Sequence, residues 1–299
     1  MTRVKVFAPA KVNLALHVTG QREDGYHFLD TLVGFASVGD WVTLDTDQKR
    51  GLTITGPEGA ALDPAAPNLV LQTAMEFWGK GNGPLSLVLS KHLPVSSGIG
   101  GGSADAAATF RGMLWLMDRM GMPLPMDADL AKRLLQLGAD VPMCVSCEPL
   151  RARGIGERRE FLPAMARLPV VLVNPRVEVA TKMVFKSLTK KDNSEIGRLP
   201  SDLADVGLLV SFLAKQRNDL QGPAIAAAPV IATVLKVLSE TQGCTMARMS
   251  GSGATCFGIY DTAEASAVAA EKIAKDHQRW WVKAALLDGQ DRAAPEQIS

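Results

Sequence analysis

Along residues 4–19 apolar and other side chains alternate: Val12, Leu14, Leu16 and Val18 interleave with Asn13, Ala15, His17 and Thr19. A period of two predicts a strand in a sheet with one buried face. Pro9 interrupts the run, and the charged, glycine-bearing stretch 20–25 reads as a turn. Further strands are predicted at 41–45, 52–55 and 85–89. Asn68 has the chemistry of an N-cap for a helix that runs through Trp78 and stops at Gly79. The period lengthens after Ser103, where Met113, Leu114, Leu116 and Met117 follow an alanine run, and again after Asp127, with Leu130, Leu134, Leu135 and Leu137. Val141, Pro142 and Val145 make 139–145 strand-like.

In the second half, an apolar run at 170–173 predicts a buried strand, followed by helices at about 180–187, 202–215 and 223–239. Strands at 245–249 and 254–260 flank a Ser-Gly-Ser-Gly turn. A helix capped by Asp261 or Thr262 and a strand over 280–286 complete the pattern. Antiparallel-looking strands beside clustered helices predict an α+β fold with mixed or antiparallel sheets. A chain of 299 residues suits two lobes, set at 1–157 and 158–287 with the boundary after the glycine-interrupted stretch 151–157. The polar segment 288–299, with Pro295, reads as a frayed tail.

Composition changes this picture little but excludes several classes. Hydrophobic residues are 47% and charged residues 21%, the balance of a globular protein. The net charge of +1, without a dense Lys/Arg cluster, argues against nucleic acid as a partner. No signal-peptide pattern opens the chain, and the longest apolar stretch, at 224–235, is broken by Pro229, so a cytoplasmic protein without membrane contact is expected. Cys144 and Cys147 have C-x-x-C spacing, but Cys244 and Cys256 are too far apart to complete a zinc knuckle. Small buried hydrophobes are the reading for these cysteines.

Candidate chemistry gathers in four places. Pro94-Val-Ser96-Ser97-Gly98-Ile-Gly100-Gly101-Gly102-Ser103 lies between a predicted strand and a predicted helix. Glycines let successive amides converge on an anion, and the helix start adds its positive dipole end. It is neither a Walker A loop nor the dinucleotide G-x-G-x-x-G, because Ser103 stands where that pattern needs glycine. Lys11 follows Pro9 at the start of an apolar strand; it is either a solvent-facing lysine or one aimed at a phosphate or carboxylate. Asp140, between Gly-Ala and Val-Pro, is either a base or a residue closing a local turn. Gly251-Ser252-Gly253 is either a plain hairpin turn or a close approach to a ligand.

Together the four stretches resemble the GHMP family of small-molecule kinases, which carry a Pro-x-Lys-x-Asn-type strand, a Gly-Ser phosphate loop and a C-terminal Gly-Ser-Gly turn in this order. The resemblance covers nearly the whole chain. The run from Ala8 to Val18, then Asp24-Gly25-Tyr26-His27, residues 137–142, Asn174-Pro175, Thr181 with Phe185, and Asn218-Asp219-Leu220 are similar to the branch of that family whose alcohol acceptor carries a cytidylyl group, in non-mevalonate isoprenoid synthesis. The Asp-Gly-Tyr-His segment is the more specific part, since the whole superfamily shares the glycine loop.

The resemblance implies a two-lobed fold, ATP and Mg²⁺ as cofactors, and a small cytidylyl substrate. Asp140 would accept the proton of the acceptor's 2-hydroxyl with Lys11 beside it. Pro94, Ser96, Ser97, Gly98, Gly100, Gly101, Gly102 and Ser103 would hold the nucleotide phosphates, with Ser103 a contact for Mg²⁺ and Asn68 near the adenosine. Tyr26 and Phe185 would sandwich cytosine, His27 would hydrogen-bond it, and Asn13 and Thr181 would line the acceptor side. His17 is read as a satisfied histidine on the polar face. Two departures stand out: Ser96-Ser97 where the family often has Ala or Gly, and Ala104 where Ser is common. A homoserine- or mevalonate-type kinase would not need the aromatic sandwich, and a non-catalytic relative would lack the Lys or the Asp. A nicotinamide-dependent oxidoreductase would carry the glycine fingerprint after its first strand.

Overall fold

The computed structural model describes residues 3–63, 66–78, 82–123, 126–163, 165–287 and 293–298. Its spine is a pair of long antiparallel strands, β1 (Arg3–Gln21) and β2 (His27–Asp45), joined by a turn in which Gly25 takes φ +90°. The far edge of β2 serves three partners in succession. Its first part pairs with β5 (Leu150–Gly154), Ala36 meets β10 (Trp281–Leu287), and its last part pairs with β4 (Ser86–Ser90). β3 (Gly51–Thr55) adds to β4 in parallel and β6 (Arg158–Phe161) to β5 antiparallel, so the sheet is mixed. Beyond β10 the order continues through β7 (Leu168–Asn174), β9 (Cys256–Tyr260) and β8 (Cys244–Met249).

Helices cover this sheet where apolar faces must be buried. α1 (Leu69–Phe77) is capped by Asn68, whose Oδ1 accepts from Val70 N at 2.9 Å. α2 (Gly101–Arg119) lies on β1 and β2, burying Phe110, Met113 and Leu116 against Val4, Val6 and Leu44. The contact is close enough that a Cβ on Gly112 would lie 2.4 Å from Leu44 Cδ1. α3 (Leu130–Leu137), with Asp129 at its N-cap where Asp127 was expected, and α4 (Val141–Ser146) follow. A second apolar cluster joins Val12, Leu14 and Ile99 from the first half to Leu168, Phe257 and Trp281 from the second. A third packs α8 (Val230–Ser239) and α9 (Ala263–Asp276) on Val171, Val173 and Tyr260. α5 (Thr181–Lys186), α6 (Val206–Ala214) and α7 (Gln221–Ala227) complete the described helices. The α+β class with a mixed sheet is as expected.

Several local expectations are corrected. β1 is buried on both faces, with Lys11, Asn13 and His17 all nearly inaccessible, because the second half packs over the face that alternation left polar. Residues 139–145 do not form a strand: Val141–Ser146 is a short helix with Pro142 in its first turn, where a missing N–H costs nothing. The helix expected at 223–239 is two, because Pro229 can start α8 but cannot sit within a continuous helix. Thr262, not Asp261, caps α9, accepting from Ala265 N at 3.0 Å. The glycine-interrupted stretch after Leu150 is the hairpin β5–β6. The end of the chain is not frayed throughout: β11 (Glu296–Ile298) pairs with Arg3–Lys5 of β1, and Ala293 is buried, its carbonyl accepting from Arg111 Nε at 3.1 Å. The expected helix stop at Gly79, and positions 288–292 and 299 of the tail, lie outside the described residues.

Candidate active site

The β1–β2 ladder shifts register between Pro9 and Lys11 and again between Asn13 and Ala15. Such irregularities free backbone groups and re-aim side chains. Lys11 N therefore donates to Ile99 O at 2.9 Å, and Asn13 N to Ser250 Oγ at 3.0 Å. The two side chains between the irregularities face a common point. Lys11 Nζ lies 2.8 Å from Asp140 Oδ2 and donates to Asn13 Oδ1 at 3.0 Å. Asn13 Nδ2 donates to Thr31 Oγ1 at 2.8 Å, and that hydroxyl donates to Ala15 O at 2.7 Å, which fixes the amide's orientation. Asp140 occupies the N-cap of α4 without making a side-chain cap bond, and its side chain is 39% exposed, so its carboxylate is presented to the cleft.

Beside this pair, the glycine loop at 94–103 enters α2. Gly100 is its N-cap, in the left-handed region at φ +65°, and among the described residues no side chain caps the first-turn amides. Amides at a helix start, with the dipole behind them, are suited to holding an anion. A Cβ on Gly100 would press against Lys11 Cε at 3.1 Å, so glycine here lets loop and lysine come together. Below the helix start lies a buried charge cluster. Lys91 Nζ donates to Asp105 Oδ2 at 2.9 Å and to Asp40 Oδ2, while Asp40 Oδ1 accepts from His92 N and Leu93 N at 2.5 and 2.8 Å. Burial alone would lower the Lys91 pKa, but Asp105 and Asp40 outweigh it and raise it. Burial pushes Asp105 up to about 8, against the lowering effect of Lys91. Asp105 Oδ1 has no partner among the described residues, whereas Asp40 is bonded through both oxygens.

The glycine turn Gly251-Ser252-Gly253 packs directly on the glycine loop at Gly98. A Cβ on Gly251 would sit 2.6 Å from Gly98 O, and one on Gly98 would meet Gly253 O at 2.6 Å. Ser250 Oγ donates to Gly98 O at 3.1 Å, and Asn218 Nδ2 holds the turn through Met249 O and Gly251 O at 2.7 and 2.8 Å. Ser252 Oγ lies 2.8 Å from Thr181 Oγ1, at the start of α5.

These parts surround one cleft of about 1190 Å³. Its lining includes Lys11, Asn13, Asp140, Asn68, Pro94, Ser96, Ser97, Gly98, Gly100, Gly101, Gly102 and Ser103, together with Tyr26, His27, Thr181, Phe185, Gly251 and Ser252. Gly253 stands behind the lining, where a Cβ would meet Met249 Sδ at 2.8 Å. Tyr26 is 62% exposed at the rim, and Phe185 stacks on His27, with centroids 4.9 Å apart and planes at 29°. His27 Nε2 is buried without a partner among the described residues, and burial, followed by Lys191, lowers its pKa. His17 is satisfied away from the site: Nδ1 donates to Ser194 O at 3.0 Å and Nε2 accepts from Arg217 N at 3.3 Å. The thiols of Cys144 and Cys147 are buried and their pKa values raised, which suits packing rather than nucleophilic work. Asp40, Lys91 and Asp105 were not among the expected site residues, although a lysine closing an apolar strand just before Leu93-Pro94 is a local sign of them.

Residues 68–148 match the GHMP kinases N terminal domain, and residues 185–277 match GHMP kinases C terminal. The chain is 46% identical over 293 residues to the 4-diphosphocytidyl-2-C-methyl-D-erythritol kinase of Roseobacter denitrificans, spanning 98% of this chain and 96% of that protein. It is 49% identical over 291 residues to the enzyme of the same name in Cereibacter sphaeroides, spanning 95% and 99%. The crystal structure of a 4-(cytidine 5'-diphospho)-2C-methyl-D-erythritol kinase superposes with a TM-score of 0.75 at 31% identity, covering 96% of this chain and 100% of that one. Homoserine kinase from Cytophaga hutchinsonii, at 21% identity and a TM-score of 0.68 over 100% and 98%, shares the fold. Matched nearly end to end at such identity, the chain belongs to the 4-diphosphocytidyl-2-C-methyl-D-erythritol kinase family of GHMP kinases.

Proposed function

We propose that the cleft transfers the γ-phosphoryl group of ATP to the 2-hydroxyl of 4-diphosphocytidyl-2-C-methyl-D-erythritol, a step of non-mevalonate isoprenoid precursor synthesis. The observation that carries this reading is the Lys11–Asp140 pair, 2.8 Å apart, beside the uncapped amides that open α2. An acceptor hydroxyl against Asp140 lies between the carboxylate and the phosphate loop. Its oxygen bonds to the γ-phosphorus, the bond to the β-phosphate oxygen breaks, and ADP departs. The hydroxyl proton passes to Asp140, late in the step, once the oxygen has become acidic. Lys11 holds the carboxylate in place and offsets charge on the acceptor oxygen, and the loop amides offset charge on the phosphoryl oxygens.

Cytosine would enter between Tyr26 and Phe185, displacing the His27 ring from Phe185 and giving Nε2 a partner on the base. Asn13 and Thr181 would line the erythritol side, and Asn68 the adenosine side, its oxygen already engaged in the α1 cap. Mg²⁺ fits this donor set: Ser103 offers a hydroxyl at the helix start, no cluster of three or more acidic, His or Cys side chains gathers among the described residues, and Mg²⁺ binds mainly through phosphates and water. When bound it neutralises charge on the β- and γ-phosphates. No helix among the described residues is long and apolar enough to cross a membrane, and with small polar substrates we assign the reaction to the cytoplasm.

The test is acceptor choice. With ATP and Mg²⁺, the purified protein is expected to phosphorylate the cytidylyl acceptor and leave homoserine and mevalonate unreacted. Comparable turnover of all three alcohols would overturn the acceptor assignment and leave the kinase chemistry standing.

A further inference from the structure

Arg176 follows β7 and holds φ +58°, a backbone that residues other than glycine seldom keep without support from outside. Two supports are present. Its N–H donates to Asn174 Oδ1 at 2.7 Å, and its guanidinium forms a two-pronged bond to the buried Glu58, Nη1 to Oε2 at 2.7 Å and Nη2 to Oε1 at 2.6 Å. The fork geometry is one that lysine does not reproduce.

Both ends of this ion pair are fastened to the segment that leads into the phosphate loop. On one side Glu58 N donates to Lys91 O at 3.0 Å, and Gly56 passes so near Lys91 that a Cβ there would lie 2.4 Å from the same carbonyl. On the other, Asn174 Nδ2 donates to Thr255 Oγ1 at 2.9 Å and Thr255 N to Ser97 O at 3.1 Å. The bonds close a ring, Lys91–Glu58–Arg176–Asn174–Thr255–Ser97, with residues 91–97 as its last arc. Glu58 belongs to the first half of the chain and Arg176 to the second, so the ring spans both halves.

We propose that Glu58 and Arg176 are positioning residues of the phosphate loop, which set its stem through this ring without touching either substrate. The inference rests on the reading of residues 98–103 as the nucleotide site. The aromatic end of the cleft, with Tyr26, His27 and Phe185, is not part of the ring. Opening the ring therefore weakens nucleotide binding selectively.

Arg176→Gly removes the guanidinium while suiting the left-handed backbone, so it adds no strain of its own. Glu58→Gln keeps the shape and removes the charge. Affinities of magnesium–ADP and of the cytidylyl acceptor would be measured by calorimetry for the wild type, both single variants and the double variant. Each single variant is expected to weaken ADP by about 3- to 30-fold with acceptor binding held within about twofold, and the double variant to be no weaker than the worse single. Unchanged ADP affinity, equal weakening of both ligands, or additive losses in the double variant would each overturn the proposal. A wild-type protein that binds no ADP would overturn the functional reading and this proposal together, whereas wild-type binding with no selective loss in the variants overturns this one alone.

Discussion

At the scale of single residues, the polar groups buried along β1 divide by where their hydrogen bonds go. Lys11 and Asn13 bond to each other and to groups that border the cleft, whereas both ring nitrogens of His17 are taken by the backbone of Ser194 and Arg217. That pattern requires a neutral imidazole with its proton on Nδ1, because the carbonyl can only accept and the Arg217 N–H can only donate. Burial, followed by the charge of Arg217, lowers the His17 pKa. The unfolded chain then takes up the proton first. The stability contributed by His17 is complete above its unfolded pKa of about 6.5 and is lost as pH falls from there through the lower folded value. The urea midpoint of the wild type should therefore decline between about pH 7 and pH 5, and His17→Gln should show a shallower decline. An unchanged slope in the variant would remove His17 as a source. His27 shifts in the same direction but is common to both proteins, so the difference reports His17.

At the scale of elements, the glycine turn between β8 and β9 and the glycine loop before α2 support each other by backbone contact. Gly251 has φ +55°, and a side chain there would meet Gly98 O at 2.6 Å. Gly251→Ala should push the loop aside, lowering stability by about 1–3 kcal/mol and raising the ATP KM. Thermal unfolding together with ATP titration checks this, and an ATP KM equal to that of the wild type would show that the loop does not lean on the turn. Such elements were legible where the pattern is local. β1 has its alternation, α2 its alanine run and helical spacing, and β8–β9 their glycine turn. The upper part of β2 was not legible, since it is buried on both faces and shows no alternation. Its acids find their partners far along the chain, Asp30 with Arg151 at 2.7 Å and Asp40 with Lys91. β5 and β6 were hidden by their glycines and arginines, and α4 by β-branched residues in a helix too short to show a period.

At the scale of the whole molecule, the cleft exists because the two halves meet over β1. Lys11 comes from the first strand, Asp140 from the start of α4, the amides from α2, and the turn that braces them from near the other end of the chain. The residues of the site were legible as separate motifs. Their convergence was implied by the family resemblance alone and could not be read from the residue pattern, because it depends on register shifts in β1 and on backbone contacts between distant glycines. In the proposed reaction Asp140 receives the acceptor's proton. Turnover of Asp140→Asn with ATP, Mg²⁺ and the cytidylyl acceptor measures it directly. Loss of the carboxylate should lower kcat by about 10²–10⁴-fold with both KM values little changed. A kcat near that of the wild type would contradict it.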